Sequence, residues 1–426
     1  MKKIFNSWGR TIFNKNEVFD DIKDLKEIKG TIFGNGRSYG DVCLNQNGPI
    51  IINKNSKILK FDKIKGIIQV ESGCTLENIL KITIPNGWML PVTPGSKFIT
   101  IGGAIANDVH GKNHHISGSF GNFINSIELL RSNGQIYSLS KFKNKELFNA
   151  TISGLGLTGQ ILIAEIQLKK IQSDIICEEI FQFNNIYEYF EIEKNHRENE
   201  YTVAWIDCLS SKKKLGRGIF ISGNHKKNIV PKKLIFEPKT KMNIKFNFPK
   251  FFLNQYSVKI FNQIFWTINK NKKKDTNLDN FFYPLDKILN WNRIYGRNGF
   301  YQFQCIIPEI VSKKGITDLI KEISRSNQGS FLAVLKSHKK ETSPGINSFC
   351  VHGTSLALDF QNNGKNTINL LKKLETIVIN YHGKIYPAKD SLMSSESYKK
   401  FYPNWKLLKE LKDPKITSSF WERVSK

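Results

Sequence analysis

Residues 31–41 read TIFGNGRSYGD. A short apolar run, Thr31 to Phe33, leads into three glycines in seven residues: Gly34, Gly36 and Gly40. Glycine lets neighbouring N–H groups turn inward together, and it lets the backbone approach a ligand closely. Such a loop can hold a diphosphate without metal. Its spacing, G-x-G-x-x-x-G, differs from a Rossmann fingerprint, and no helix is predicted to open after it. The Gly-Lys-Ser/Thr of a P-loop is also missing.

Two more glycine-rich stretches follow. Residues 94–121 read PGSKFITIGGAIANDVHGKNHHISGSFG, and residues 153–159 read SGLGLTG. One glycine loop is weak evidence, because turns need glycine anyway. Three in one region, each beside an apolar strand, point to an extended dinucleotide threaded between loops. His110 and His114 are four apart, but Gly111 and Asn113 intervene and Asp108 is the one carboxylate nearby, so no metal site is expected. A polar wall around a cofactor, and hydrogen bonding within the loop, are the competing readings of these histidines.

The first third reads as short strands with few helices. Residues 67–71 alternate as a strand, and residues 75–84 have helical spacing behind Thr75 as N-cap. Residues 124–130 and 135–139 form a hairpin pattern around Asn133-Gly134, and 160–168 read as another strand. After about residue 172 glycine thins out. A strand–helix–strand–strand order runs through 176–182, 185–194, 202–208 and 217–222, and recurs at 300–307, 311–325, 331–336 and 354–360. That predicts a second unit with one sheet and helices on one face.

The formal net charge is +27 over 426 residues. Coding bias accounts for it as one reading, since Lys, Asn and Ile are favoured throughout. An anionic membrane surface or phosphorylated substrate is another, and nucleic acid a third. The stretch 211–275 has only Glu237 and Asp275 as acidic residues. Within it Leu253, Tyr256, Ile260, Phe261, Ile264, Phe265 and Ile268 fall at helical spacing. Such a helix either lies on a membrane surface or packs its apolar face on its own domain, and the second is the expectation. Six scattered cysteines show no metal spacing and suit a reduced, cytoplasmic setting. The start MKKIF is interrupted by Asn6, Arg10, Asn14 and Lys15, so no leader is expected, and no run of eighteen apolar residues exists.

Several pieces together resemble the vanillyl-alcohol oxidase or PCMH-type FAD-binding flavoproteins. They are Trp8–Thr11, GNGRSYGD (34–41), TIGGAIANDVHGKNHH (100–115), SGSFGN (117–122), GLTG (156–159), VAWIDCLS (203–210), FFYPLDKILNWNRIYG (281–296) and YPAKDS (386–391). The nearer likeness is to the polyprenyl-phosphoryl-ribose oxidase branch, the flavin half of an epimerase. The resemblance runs from near residue 7 to about 422 and is weakest in the lysine-rich stretch. It implies an α+β fold: an FAD-binding domain in 1–172, an inserted cap or substrate domain in 173–383, and a C-terminal return over 384–426.

The resemblance also implies roles. FAD would meet Gly34, Asn35, Gly36, Arg37, Ser38, Tyr39, Thr93, Pro94, Gly95, Gly102, Gly103, Ala104, Asn107, His110, Gly111, Lys112, Gly121, Gly159 and Tyr386. Related sugar-alcohol oxidases often carry, at the position of Arg37, a histidine bonded covalently to the flavin. Arginine is permanently charged and cannot be that nucleophile, so non-covalent FAD is expected. The implied reaction oxidises a secondary sugar hydroxyl. Lys389 would serve as the base or, kept charged, would stabilise the reduced flavin. Gln302 and Gln304 alternate on a predicted strand and share a face. With Tyr283 they complete the implied catalytic set, while His110, Lys112 and Lys336 would meet substrate. The substrate would be a lipid-phosphate sugar, the alternative being a soluble sugar, polyol or aldonolactone. The family tie suggests a short-chain dehydrogenase partner; the lysine excess and the helix near 253–268 would suit peripheral contact with the inner face of a membrane, and no nucleic acid is expected. One departure is Ala357, where mycobacterial members carry cysteine.

Overall fold

A computed structural model describes residues 2–25, 28–227, 233–340 and 343–426; residues 228–232 of the lysine-rich stretch lie outside the described residues. The chain opens with β1 (Lys2–Asn6), β2 (Phe13–Phe19), β3 (Thr31–Phe33) and β4 (Ile50–Ile52), which form a four-stranded sheet in the order β1-β2-β4-β3. The first glycine loop leaves the end of β3. Next come β5 (Ile58–Asp62), β6 (Ile67–Glu71), α1 (Leu76–Thr83), the short β7 (Trp88–Met89), α2 (Ile101–Ala106), α3 (His114–Ser117), β8 (Ile124–Leu130), β9 (Ile136–Ser140), α4 (Lys145–Thr151), β10 (Gln160–Gln167) and the short β11 (Lys169–Lys170). Five of these strands make a sheet in the order β5-β6-β10-β8-β9.

Local chemistry explains these elements. Ile68 and Val70 alternate inward on β6 and are buried, as a strand with one core face requires. The Thr75 hydroxyl accepts from the N–H of Asn78 and caps α1. Gly134 turns the β8–β9 hairpin with φ +82°.

The second unit contains β12 (Ile175–Phe183), α5 (Ile186–Asn195), β13 (Tyr201–Ile206), β14 (Gly218–His225), β15 (Met242–Asn243), α6 (Gln255–Ile268), β16 (Lys272–Asn277), α7 (Leu278–Phe282), β17 (Ile288–Leu289), β18 (Phe300–Pro308), α8 (Glu309–Ser326), β19 (Ala333–His338), β20 (Gly353–Gln361), α9 (Lys365–Asn380) and β21 (Lys384–Ile385). Eight strands form one sheet, β16-β12-β14-β13-β19-β20-β18-β21. Ile316, Leu319, Ile320 and Ile323 of α8, with Leu370, Leu374 and Val378 of α9, pack with Phe303, Leu335, Leu356 and Leu358 of the central strands. The repeated order read at 176–222 and 300–360 thus folds into one sheet with these helices on one face. The opposite face is left for other contacts.

The C-terminal helices α10 (Ser395–Phe401), α11 (Trp405–Leu411) and α12 (Ser419–Val424) tie the ends of the chain together. Gly30 donates to the carbonyl of Lys415 at 2.9 Å, and Ser419 donates to that of Leu44 at 2.7 Å. The Arg423 guanidinium spans Asp41 (2.7 Å) and Asp390 (3.2 Å). The segment beginning at Lys384 therefore bridges the two units: β21 pairs with β18 and α10 packs on α9, while Asp413, Thr417 and Ser419 bond the first unit.

Helix α6 departs from expectation. It is apolar on both faces, so packing one face on its own domain cannot bury it. Val258 and Asn262 are buried, and Phe265 packs on Trp205 at 4.8 Å between centroids. Tyr256, Ile260, Ile264 and Ile268 remain 69%, 61%, 55% and 64% exposed.

Candidate functional site

The three glycine stretches converge. Thr100 caps α2 by accepting from Gly103 N–H, and a Cβ on Gly34 would lie 2.6 Å from the Thr100 hydroxyl oxygen. Asn35 Nδ2 donates to the carbonyl of Phe98 at 2.9 Å. The third stretch closes on the other end of α2: Ser153 donates to Ile105 O at 3.1 Å and Leu155 to Ala106 O at 2.8 Å. Gly159 packs against β8, where a Cβ would meet Leu130 O at 2.7 Å. Gly121 donates to Asp108 Oδ1 at 2.8 Å, and a Cβ there would meet Ile152 at 2.5 Å. Gly111 lies over the carbonyl of Thr93 in the same way, at 2.8 Å. Gly102 abuts Ser72, Ala104 is in the core, and Gly95 has open space where a Cβ would go.

The first loop also meets the C-terminal segment. Tyr39 N–H donates to Ala388 O at 3.0 Å, while Trp8 N–H donates to Ser38 O at 2.8 Å. Arg37 lies over the Trp8 ring, 4.2 Å from its centroid, and 5.4 Å from that of Phe98. Burial pulls its pKa down, and its Nε has no partner among the described residues.

One face of the eight-stranded sheet looks toward these loops. Register pairs Gln302 with Asp359, Gln304 with Ala357, Ala357 with Val334 and Ser355 with Lys336. Paired residues share a face, and residues two apart on a strand do too. Gln302, Gln304, Asp359, Ala357, Ser355, Lys336 and His338 therefore form one surface. On it Gln302 Nε2 donates to Asp359 Oδ1 at 2.6 Å, and Tyr295 donates to Asp359 Oδ2 at 3.2 Å. Lys389 sits with its amine 3.8 Å from the Tyr39 ring centroid. Burial pushes its pKa down to about 7, against the opposing pull of Asp359. Burial raises Asp359 to about 7, with the Gln302 hydrogen bond and Lys389 opposing. Lys336 falls to about 8, again through burial.

Beside this row lies a polar, aromatic corner. Gln304 Nε2 lies 2.7 Å from His110 Nε2 and donates to it, while Tyr386 stacks on Phe349 at 4.7 Å and donates to Asn107 O at 2.7 Å. His110 and His338 rings approach to 4.9 Å, and His338 and His114 to 4.4 Å. Burial lowers all three histidines, and His114 falls to about 3. Ligand atoms of His110, His338 and Cys350 come within 4.8 Å of one another. The field there is cationic, from Lys336 and Lys384, and burial keeps the Cys350 thiol protonated, which disfavours a divalent cation.

Gln302, Gln304, Lys336, Lys389, His110, Asn107 and Tyr386 thus come together with the first loop. Tyr283 does not join that row, and Lys112 stands beside it, within electrostatic reach of Lys336. Lys112 Nζ donates to the carbonyl of Phe281, and burial lowers its pKa to about 7. Tyr283, fully buried, hydrogen-bonds Thr93, next to Pro94. Asp359 and His338 lie outside the residues the sequence pointed to, whereas Trp8 and Tyr295 fall within the quoted stretches Trp8–Thr11 and 281–296 without a role attached to them. Asp359 carries a signal as a carboxylate between Leu358 and Phe360, whereas His338 follows Lys336 and Ser337 on its strand and does not stand out.

The residues fit FAD. Arg37 Nε, Asn107 Oδ1 and His110 Nδ1 are buried without partners among the described residues. Each such atom costs about 1–3 kcal/mol unless something polar meets it. All three lie on the converging stretches, and Arg37 and His110 adjoin Gly36 and Gly111, where a Cβ would meet neighbours at 2.7 and 2.8 Å.

Comparison with known proteins agrees with this geometry. Residues 21–140 match the FAD binding domain family. The chain is 32% identical to decaprenylphosphoryl-beta-D-ribose oxidase of Mycolicibacterium smegmatis over 400 residues, 89% of this chain and 85% of that one. L-gulonolactone oxidase of Bos taurus is 26% identical over 177 residues, 38% of this chain and 40% of its own length. D-lactate dehydrogenase of Anaerostipes hadrus is 28% identical over 137 residues, 31% of this chain and 28% of its own length. The first likeness runs through both the glycine loops and the eight-stranded sheet, and on that ground this chain belongs to the decaprenylphosphoryl-beta-D-ribose oxidase family of FAD-dependent oxidoreductases.

Proposed function

We propose that this enzyme oxidises a secondary hydroxyl of a sugar, with a polyprenyl-phosphoryl ribose as substrate and C2′ as the reacting carbon, opening an epimerisation to the arabinose form. In this reading residues 1–172 with 384–426 hold FAD non-covalently, and 173–383 supply the substrate face. The observation that carries it is the row Gln302–Asp359–Lys389–Lys336 opposite the glycine loops.

FAD, when bound, supplies the acceptor for the hydride that leaves the substrate carbon. Arg37, Asn107, His110 and Tyr386 would hold it together with the loop Gly34–Tyr39. Lys389 does the proton work. With its pKa near 7 a large share of the amine is neutral, and Nζ takes the hydroxyl proton as the carbonyl forms. Asp359 and Gln302 fix the polar edge beside it. Lys336, an amine on the same face, suits a phosphate or sugar hydroxyl. Closing this face against the loops excludes water from the reacting atoms.

Anaerobic titration tests the substrate. Polyprenyl-phosphoryl ribose is expected to bleach the flavin, whereas free polyols and aldonolactones are not. Bleaching by the soluble compounds alone would overturn this choice. A short-chain dehydrogenase partner would complete the epimerisation by reducing the ketone from the other face.

A further inference from the structure

We propose that the exposed face of α6, with the aromatic segment before it, docks this enzyme onto a bilayer containing anionic lipid. Tyr256, Ile260, Ile264 and Ile268 recur every fourth residue and make one stripe along the helix, opposite the buried Val258 and Asn262. An apolar stripe beside exposed aromatics exceeds the scattered apolar residues of ordinary surfaces.

The stripe continues before the helix. Phe246 stacks on Phe248 at 6.1 Å, and Phe248 meets Phe252 edge-on at 4.8 Å. Phe246, Phe251 and Phe252 are exposed. The Ser257 hydroxyl donates to the carbonyl of Phe252 at 2.9 Å, tying this segment to the first turn of α6.

Charge complementarity selects the occupant. Lys245, Lys250, Lys259 and Lys270 are exposed around the stripe, and none makes an ion pair among the described residues. Aromatic and aliphatic side chains ringed by unpaired lysines match an interface of acyl chains and anionic headgroups. An acidic protein partner would meet the lysines but waste the stripe.

The face also communicates with the site. Phe261 of α6 packs on Phe331 at 5.7 Å, Phe331 on Tyr295 at 5.7 Å, and Tyr295 bonds Asp359. An open groove of about 680 Å³ starts beside Phe251 and Leu253, and a narrower pocket sharing its walls reaches Tyr295. A molecule anchored in the bilayer would enter along this side.

Flavin-loaded protein is sedimented with vesicles of equal parts phosphatidylglycerol and phosphatidylcholine, and with phosphatidylcholine alone. The proposal expects binding to the anionic vesicles that weakens with salt. The double substitution Ile260→Ser with Ile264→Ser changes no charge and alters only exposed positions. It is expected to lower partitioning about tenfold, with the flavin spectrum unchanged. Equal binding by both proteins, or no binding by the natural chain, overturns the proposal. So does a dimer in light scattering that the double variant dissociates, because a second copy would then own the face. The vesicles carry no sugar lipid, so failure here is distinct from failure of the substrate assignment.

Discussion

The amine of Lys389 lies 3.8 Å from the centroid of the Tyr39 ring, so the first glycine loop and the C-terminal segment meet at the proposed proton acceptor. The contact is backed by backbone: Tyr39 N–H donates to Ala388 O at 3.0 Å. A rigid support of this kind fixes where the amine points.

Gly40 is the tightest point of that support. A Cβ there would lie 1.5 Å from the Asp390 carbonyl oxygen, so Gly40→Ala must push the two segments apart. The substitution is expected to cost roughly 3 kcal/mol or more, read as a fall in thermal midpoint and loss of bound FAD.

Arg423 holds the same junction from behind by pairing with Asp41 and Asp390. Arg423→Met leaves two buried carboxylates without their cation. A loss of about 3–5 kcal/mol is expected in denaturant unfolding. Flavin affinity should fall with it.

Arg37 predicts how FAD is held. With no nucleophilic side chain at this loop position, acid precipitation should release the yellow chromophore into the supernatant; colour in the pellet would contradict non-covalent binding. Arg37→Ala should weaken FAD about tenfold to a hundredfold, as expected for losing a charged hydrogen-bonding group. Dilution-induced flavin fluorescence reads this.

The pH dependence has a definite sign. The Lys389 pKa falls from 10.5 to about 7 on folding, so between those values the unfolded chain binds the extra proton. Its stability contribution is present above 10.5 and is lost as pH falls through about 7. For catalysis the neutral amine is the base, so flavin reduction should rise through neutral pH to a plateau. Asp359 titrates in the same range and favours the ammonium, so the profile belongs to the pair. Asp359→Asn should move it to lower pH in stopped-flow measurements.

Much of this was legible in the chain. The strand at 67–71, the Thr75-capped helix, the Asn133-Gly134 hairpin and the paired strand–helix–strand–strand orders all appear, because local periodicity and turn chemistry decide them. Gln302 and Gln304 were readable as one face for the same reason. Asp359 and Tyr295 were not, since their roles depend on strand register and on a loop more than sixty residues away. Lys112 was read toward cofactor and substrate; its amine donates one bond to the Phe281 carbonyl, a partner that sequence spacing does not reveal. For α6, sequence periodicity showed an apolar helix without showing that both of its sides are apolar faces of a surface element.

Lys389→Met tests the central claim most directly, through anaerobic single-turnover reduction of the bound flavin by its sugar substrate. The account predicts normal FAD content, a reduction rate lower by about 10²- to 10⁴-fold, and a flat pH profile through neutrality. Reduction at the natural rate with the natural pH profile would contradict it.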